Sequence, residues 1–250
     1  MANPQFYPLE VNPLTKEPFL RLRNHKNIII TPPRSSDPTS YCLILNDPRV
    51  HKWLTGPPIP HFREHAEAWY AVITPPIAAV LAALDAAKDK ADLITVDICP
   101  VRAIREILDN GEDVYLGDIG FTRLQDGKLL APPDVEVDKE LASRYASENA
   151  ERMVGDPKII WTVGDYLTPS HHGQGIMSDA LKTVLDGWAI PRMNARRINA
   201  SALRGNQGSV RVFQKNGFQL AGLRENFVEA RGETHDIHVL EWHLDDDNVP

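Results

Sequence analysis

The chain has 250 residues, 42% hydrophobic and 24% charged, with a formal net charge of −7, which suits one globular domain with elaborations rather than a disordered or fibrous chain. The negative balance argues against a nucleic-acid partner, since phosphate binding wants a basic footprint. No apolar run approaches a membrane span, Met1-Ala2-Asn3-Pro4 does not begin a secretory signal, and Cys42 and Cys99 stand in neither metal-ligand nor redox spacing; a cytoplasmic protein with no metal and no membrane contact is expected.

In chain order, residues 1–18 carry several prolines and little periodicity and read as an extended N-terminal arm. Residues 19–23 and 28–31 are strand candidates around the turn-like Asn24-His25-Lys26-Asn27, either a hairpin or a first strand behind an arm. Pro32-Pro33 stops the run. Ser36 or Asp37 is placed to cap a short helix through Leu45, and residues 50–54 make another helical piece. A rigid loop, Gly56-Pro57-Pro58-Ile59-Pro60, leads into a helix-rich stretch over residues 63–89. Pro75-Pro76 must break or kink it, because proline lacks the N–H and clashes with the preceding turn; two helices or one bent helix are expected.

Residues 101–108 and 114–124 read as an antiparallel pair joined through Asn110-Gly111, a strong turn signal. Residues 125–158 form an insertion with Pro132-Pro133, an acidic run and a helix over 140–153. The acidic tail, residues 245–250, is expected to fray.

The segment from Leu167 to Leu181 carries the chemistry. Ile159, Ile160, Trp161, Val163, Tyr166 and Leu167 have strand character. After Gly173-Gln174-Gly175, apolar residues recur with helical spacing as Ile176, Ala180, Leu181, Val184, Leu185 and Trp188. Glycines two apart let the backbone approach a ligand, and the free N–H groups and dipole of a new helix favour an anion. A Walker loop would need Gly-Lys-Ser/Thr, where this chain has Gly175-Ile176-Met177, and a Rossmann fingerprint would need a third glycine.

The loop, together with Asn206-Gln207-Gly208-Ser209 and Lys215-Asn216-Gly217-Phe218, resembles the GNAT superfamily of N-acetyltransferases, in its RimJ/RimL-like branch. On the Gln/Arg-x-x-Gly-x-Gly/Ala pattern of that family's pyrophosphate loop, His172 and Met177 are departures and Gly175 is the fixed glycine. The likeness covers residues 93–244 well. It implies an α/β (α+β) fold: a central mixed, mostly antiparallel sheet of about seven strands flanked by helices. A single domain over 19–244 would carry an extra helical region at 63–90 and a mid-sheet insertion at 125–158.

The resemblance further implies acetyl-CoA as donor, coenzyme A as product, and a primary amine of a small molecule or a peptide N-terminus as acceptor, in a monomer or homodimer. Main-chain groups of Tyr166 and Leu167 would meet the pantetheine arm. Amides of Gln174, Gly175, Ile176, Met177 and Ser178 would hold the pyrophosphate, Gly173 keeping the approach open. His172 either adds a donor or caps the turn. Asn206 binds pantetheine or caps its helix. Phe213 stands where much of the family has a tyrosine, and Ser209 is the implied contact to the leaving thiolate. The oxyanion donor would be a strand amide near residues 163–165. For a general base, Glu106, Asp118 and Asp165 lie on strands leading to the cleft, strand parity deciding among them, with a water chain as the alternative. Thr162 replaces an acidic residue common in the family. A non-catalytic acyl-CoA-binding protein, another nucleophile, or a longer acyl group are the competing readings. The acidic balance mildly favours a basic acceptor.

Overall fold

Strands make up the frame. The computed structural model describes residues 3–131 and 135–244, so Pro132-Pro133 and the acidic tail lie outside the described residues. The strands are β1 (Glu10–Val11), β2 (Pro18–Arg21), β3 (Ile28–Thr31), β4 (Ala103–Ile107), β5 (Asp113–Arg123), β6 (Ile160–Leu167), β7 (Arg197–Leu203), β8 (Gln219–Ala230) and β9 (Glu233–His243). They form one sheet in the order β1-β2-β3-β4-β5-β6-β7-β9-β8, antiparallel except for β6 and β7. Nine strands exceed the expected seven, in part because the supposed arm contributes β1, paired with β2. The arm is also pinned: buried Gln5 bonds Asp92 and Ile94, and the Arg192 guanidinium donates to the Gln5 carbonyl at 2.7 Å.

The helices are α1 (Asp37–Leu45), α2 (Pro48–His51), α3 (Arg63–Ala86), α4 (Gly127–Leu130), α5 (Lys139–Glu151), α6 (Ile176–Val184), α7 (Ile190–Met193) and α8 (Gln207–Lys215). One face of the sheet takes α6 and α8, packing Ile176, Ala180, Leu181, Val210 and Phe213 with Trp161, Val163 and Ile198. Each of the buried Ile, Leu, Val and Phe side chains contributes about 1.5–3 kcal/mol. The other face takes α1, α2 and the start of α3, where Tyr41, Ile44, Val50 and Ala66 meet Tyr115 and Tyr166.

The structure decides two local expectations. Of two helices or one bent helix, the chain takes a single helix: α3 runs unbroken through Pro75 and Pro76. The residues whose carbonyls lose a donor, Ala71 and Val72, are exposed, as are both prolines, so water serves that side. Thr74 Oγ1 donates to the Tyr70 carbonyl at 2.9 Å. At 24 residues α3 is also long and apolar enough, by length and composition, to cross a membrane, although no such run stood out in the sequence; here Ala66, Ile73, Ile77 and Leu84 are buried. Of the two candidate caps of α1, Ser36 holds the N-cap position without a side-chain bond, and Asp37 does not cap it. Asp37 lies buried in a two-oxygen ion pair with Arg105, at 2.7 Å to each oxygen.

The 125–158 insertion folds against the ends of β5 and β6. Asn149, buried on α5, donates to the carbonyls of Leu124 and Ile160 and accepts from Ile160 N. At Gly127 an added Cβ would sit 1.8 Å from the Ala142 carbonyl oxygen, so only glycine lets α4 lie this close to α5.

Candidate active site

The parallel pair β6–β7 is registered at two positions only, Ile160 with Arg197 and Trp161 with Ile198. Beyond them the strands separate and the rest of β6 has no neighbour on that edge. Its other edge pairs with β5, with Leu124 N donating to Ile160 O and Thr168 N to Leu116 O. In an antiparallel ladder, alternate residues turn both main-chain groups to the partner. The even-numbered residues of β6 therefore serve β5. Val163, Asp165 and Leu167 direct their N–H and C=O groups into the gap.

That gap is a cleft of about 780 Å³. The start of α6 and of α8 border it on one face of the sheet, and the segment from Arg49 to Pro57 on the other. Above Gly164, which faces the cleft, an added Cβ would meet nothing within 4 Å. Space is thus left on the α1–α3 side, across from α6.

At the loop, Gly173 and Gly175 have φ of 75° and 84°, a region costly for any residue with a Cβ. Gly175 is the N-cap of α6, and no side chain caps the helix. The amides of Ile176, Met177 and Ser178 are its unpaired first-turn donors. Gly173, Gly175, Ile176, Met177 and Ser178 all border the cleft. The geometry separates the other candidates. Gln174 does not border the cleft: its side chain donates to Ser170 O at 2.9 Å. His172 closes the turn, with Nε2 2.7 Å from the Leu167 carbonyl, which takes that carbonyl away from a ligand. The main-chain groups of Tyr166 face β5, so Val163 and Asp165 replace Tyr166 as the exposed strand edge. The Tyr166 side chain packs with Tyr41 and its hydroxyl meets that of Tyr115 at 2.8 Å.

Helix α8 brings Asn206 and Ser209 to the cleft. Asn206 caps α8, its Oδ1 accepting from Ser209 N at 3.2 Å. The half-buried Ser209 hydroxyl makes no hydrogen bond among the described residues. Phe213 is buried in the core against Phe218, ring centroids 5.1 Å apart, and does not border the cleft. A tyrosine's proton at that position is therefore not replaced by Phe213. Arg211 and Lys215, one turn apart on α8, also border the cleft; their i, i+4 spacing was the available signal. Arg49 belongs to the stretch Asn46-Asp47-Pro48-Arg49-Val50, which resembles the helix pair that frames the acceptor pocket in RimJ/RimL-like proteins, and it borders the cleft; Trp53, just beyond, was not singled out, because only tertiary folding brings it over β6.

The three carboxylates separate cleanly. Glu106 lies off the cleft, bound by Asn27 Nδ2 at 3.0 Å and His171 Nε2 at 3.2 Å. Asp118 is buried and held by the Arg102 guanidinium at 2.8 and 2.7 Å, so it is no free base. Asp165 alone borders the cleft. Burial, then the Asp118 charge, push its carboxyl up to about 6, because both disfavour the anion. Part of the residue still reaches the cleft surface.

A strand pair splayed at its C-terminal half, with a bare helix N-terminus at the opening, is an arrangement of the GNAT fold. The chain matches the acetyltransferase (GNAT) domain over residues 27–219 and belongs to that family. It is 35% identical over 115 residues to the probable N-acetyltransferase YjcK of Bacillus subtilis (strain 168), a match covering 42% of this chain and 63% of that protein. Among solved structures it resembles Mycobacterium smegmatis RimJ in complex with CoA-disulfide, with TM-score 0.54, 16% identity, and 94% and 88% of the two chains covered. It also resembles the ribosomal L7/L12 alpha-N-protein acetyltransferase RimL in complex with coenzyme A, with TM-score 0.56, 15% identity, and 90% and 98% covered.

Proposed function

We propose that this protein binds acetyl-CoA in the β6–β7 cleft and transfers the acetyl group directly to a primary amine, of a small molecule or a peptide N-terminus. One conjunction carries the reading: a bare helix N-terminus, a bare strand edge and a carboxyl near neutrality border the same cleft. The residues fit the group, since glycine at position 175 and an uncapped α6 leave an anion seat of backbone amides.

When bound, coenzyme A supplies an acyl group activated as a thioester. The amides of Gly175, Ile176, Met177 and Ser178 would hold the pyrophosphate, with Arg211 and Lys215 adding positive charge. Val163 and Asp165 would pair with the pantetheine amides as an added strand does. An attacking amine must be neutral; Asp165, the candidate carboxyl that borders the cleft, shares the α6 face with Val163 and Ile119 and would take the proton through water from an amine on the Gly164 side. A cleft-facing amide of β6 would stabilise negative charge developing on the acetyl oxygen. The Ser209 hydroxyl would donate to the departing sulfur. The acceptor would enter over Gly164 on the side of α2. The unpaired cysteines, Cys42 and Cys99, suit the cytoplasmic setting expected from the sequence.

Incubation with acetyl-CoA and a panel of amines and peptides, read as free thiol, tests the proposal. Thiol release that depends on an amine is expected. Tight binding of acetyl-CoA with no turnover on any amine would instead favour a non-catalytic acyl-CoA-binding protein.

A further inference from the structure

Behind the glycine loop lies a contact that the proposed chemistry does not use. The turn between β2 and β3 places His25 against the loop. Its Nδ1 is 2.8 Å from Asp179 Oδ2 and its Nε2 is 3.0 Å from the Gln174 carbonyl oxygen. Asp179, the fourth residue of α6, is buried and also accepts from Asn24 N, His25 N and Asn24 Nδ2 at 2.8, 3.1 and 3.2 Å. Burial pushes its carboxyl up, but the His25 ring and these amides outweigh that and hold it below the ordinary carboxylate value.

Both ring nitrogens of His25 thus face acceptors. A neutral imidazole carries one N–H and would turn a lone pair toward either the carboxylate or the carbonyl. Only the imidazolium donates to both. The peptide between Gln174 and Gly175 is trans, and in a trans peptide the C=O and N–H point in opposite directions. A carbonyl drawn back to His25 aims the Gly175 N–H away from His25. Gly175 borders the cleft and His25 does not, so that amide is directed at the anion seat.

We infer that His25, as an imidazolium clamped between Asp179 and Gln174, is a positioning residue for the coenzyme A pyrophosphate, and that cofactor affinity falls as His25 loses its proton. The inference rests on the assignment of residues 173–178 to that pyrophosphate. Other charges near the turn are engaged or turned outward. Arg23 and Lys182 both bind Asp186 at 2.9 Å, Glu106 and His171 bind each other, and Lys26 is exposed.

The test titrates coenzyme A calorimetrically into the wild type, His25→Ala and His25→Gln from about pH 6 to 9. In parallel, the ring nitrogens of His25 are followed by 15N NMR in the free protein. The NMR should show both nitrogens protonated at the acid end and one proton lost on raising the pH. Coenzyme A should bind His25→Ala about tenfold more weakly than wild type at pH 6, the scale of one charge-assisted hydrogen bond. The difference should shrink toward unity at pH 9. Ionisation of the cofactor's own phosphates is common to both proteins and cancels in the ratio. His25→Gln should fold as wild type and lose the pH-dependent component, and the maximal rate at saturating acetyl-CoA should stay close to wild type for both variants. A singly protonated ring throughout, or a wild-type-to-variant ratio that does not change with pH, would overturn the inference. Gly175→Val separates the two levels: if it binds coenzyme A normally, the loop assignment fails. If it loses binding while both His25 variants bind as wild type, only the role of His25 fails.

Discussion

Asp165 and Ser209 are where the proposed chemistry concentrates, and neither role follows from residue type alone. Asp165 shares its strand with apolar neighbours and faces Ile119 across the ladder, which is why its anion is disfavoured. Raised above its unfolded value of about 3.9, this carboxyl favours the folded state fully below that value. The contribution is lost as pH rises through about 6. Above pH 6 the ionised group is a burden on stability that function requires. Asp165→Asn should therefore raise the melting temperature at pH 8 by a few degrees, on the order of 3 °C, while the transfer rate falls about a hundredfold. The acid limb of kcat/KM, rising through about pH 6 in the wild type, should disappear. Scanning calorimetry and a pH–rate profile read both. Ser209→Ala should lower the maximal rate more than it weakens coenzyme A binding. Equal loss of binding with an unchanged rate constant would assign Ser209 to binding alone.

At the scale of elements, the strand–loop–helix from β6 to α6 was legible because its signals are local: β-branched and aromatic residues, two glycines, then helical periodicity. The α8 segment was legible for the same reason, Asn206 capping and Phe213 falling on the buried face. The partners of single residues were not. That Arg102 neutralises Asp118 and that His171 holds Glu106 each depend on chain segments brought together only by folding, whereas His172 closing the turn on the Leu167 carbonyl, five residues away, is one of the two roles expected of it. Strand parity, uncertain from sequence by a residue or two, decided Tyr166 against Val163 and Asp165. Gly175→Val is the variant for this scale. With φ at 84° and the backbone amides of the seat beside it, a branched side chain should weaken coenzyme A binding at least tenfold, on the order of one lost charge-assisted contact. A far-ultraviolet spectrum confirms that the fold persists. In α3, changing Pro75 and Pro76 to alanine restores two backbone donors in an exposed helix interior. The melting temperature should rise with turnover unchanged.

At the scale of the whole molecule, the proposed function would have donor and acceptor meet from opposite sides of one opening in the sheet. The ladder from β1 to β6 and the β7–β9–β8 unit are joined by two registered pairs at the base of the cleft, so the gap is a consequence of topology rather than of a missing segment. The formal charge of −7 does not describe this site: Arg49, Arg211 and Lys215 border it beside Asp165. The weak expectation of a basic acceptor, taken from net charge, therefore finds no support in the lining. The most direct measurement is a calorimetric titration of acetyl-CoA into the wild type and Gly175→Val at neutral pH. One molecule bound per chain by the wild type, displaced by coenzyme A and lost in the variant, is the predicted result; no binding by the wild type, or equal binding by both, would contradict the assignment of this cleft.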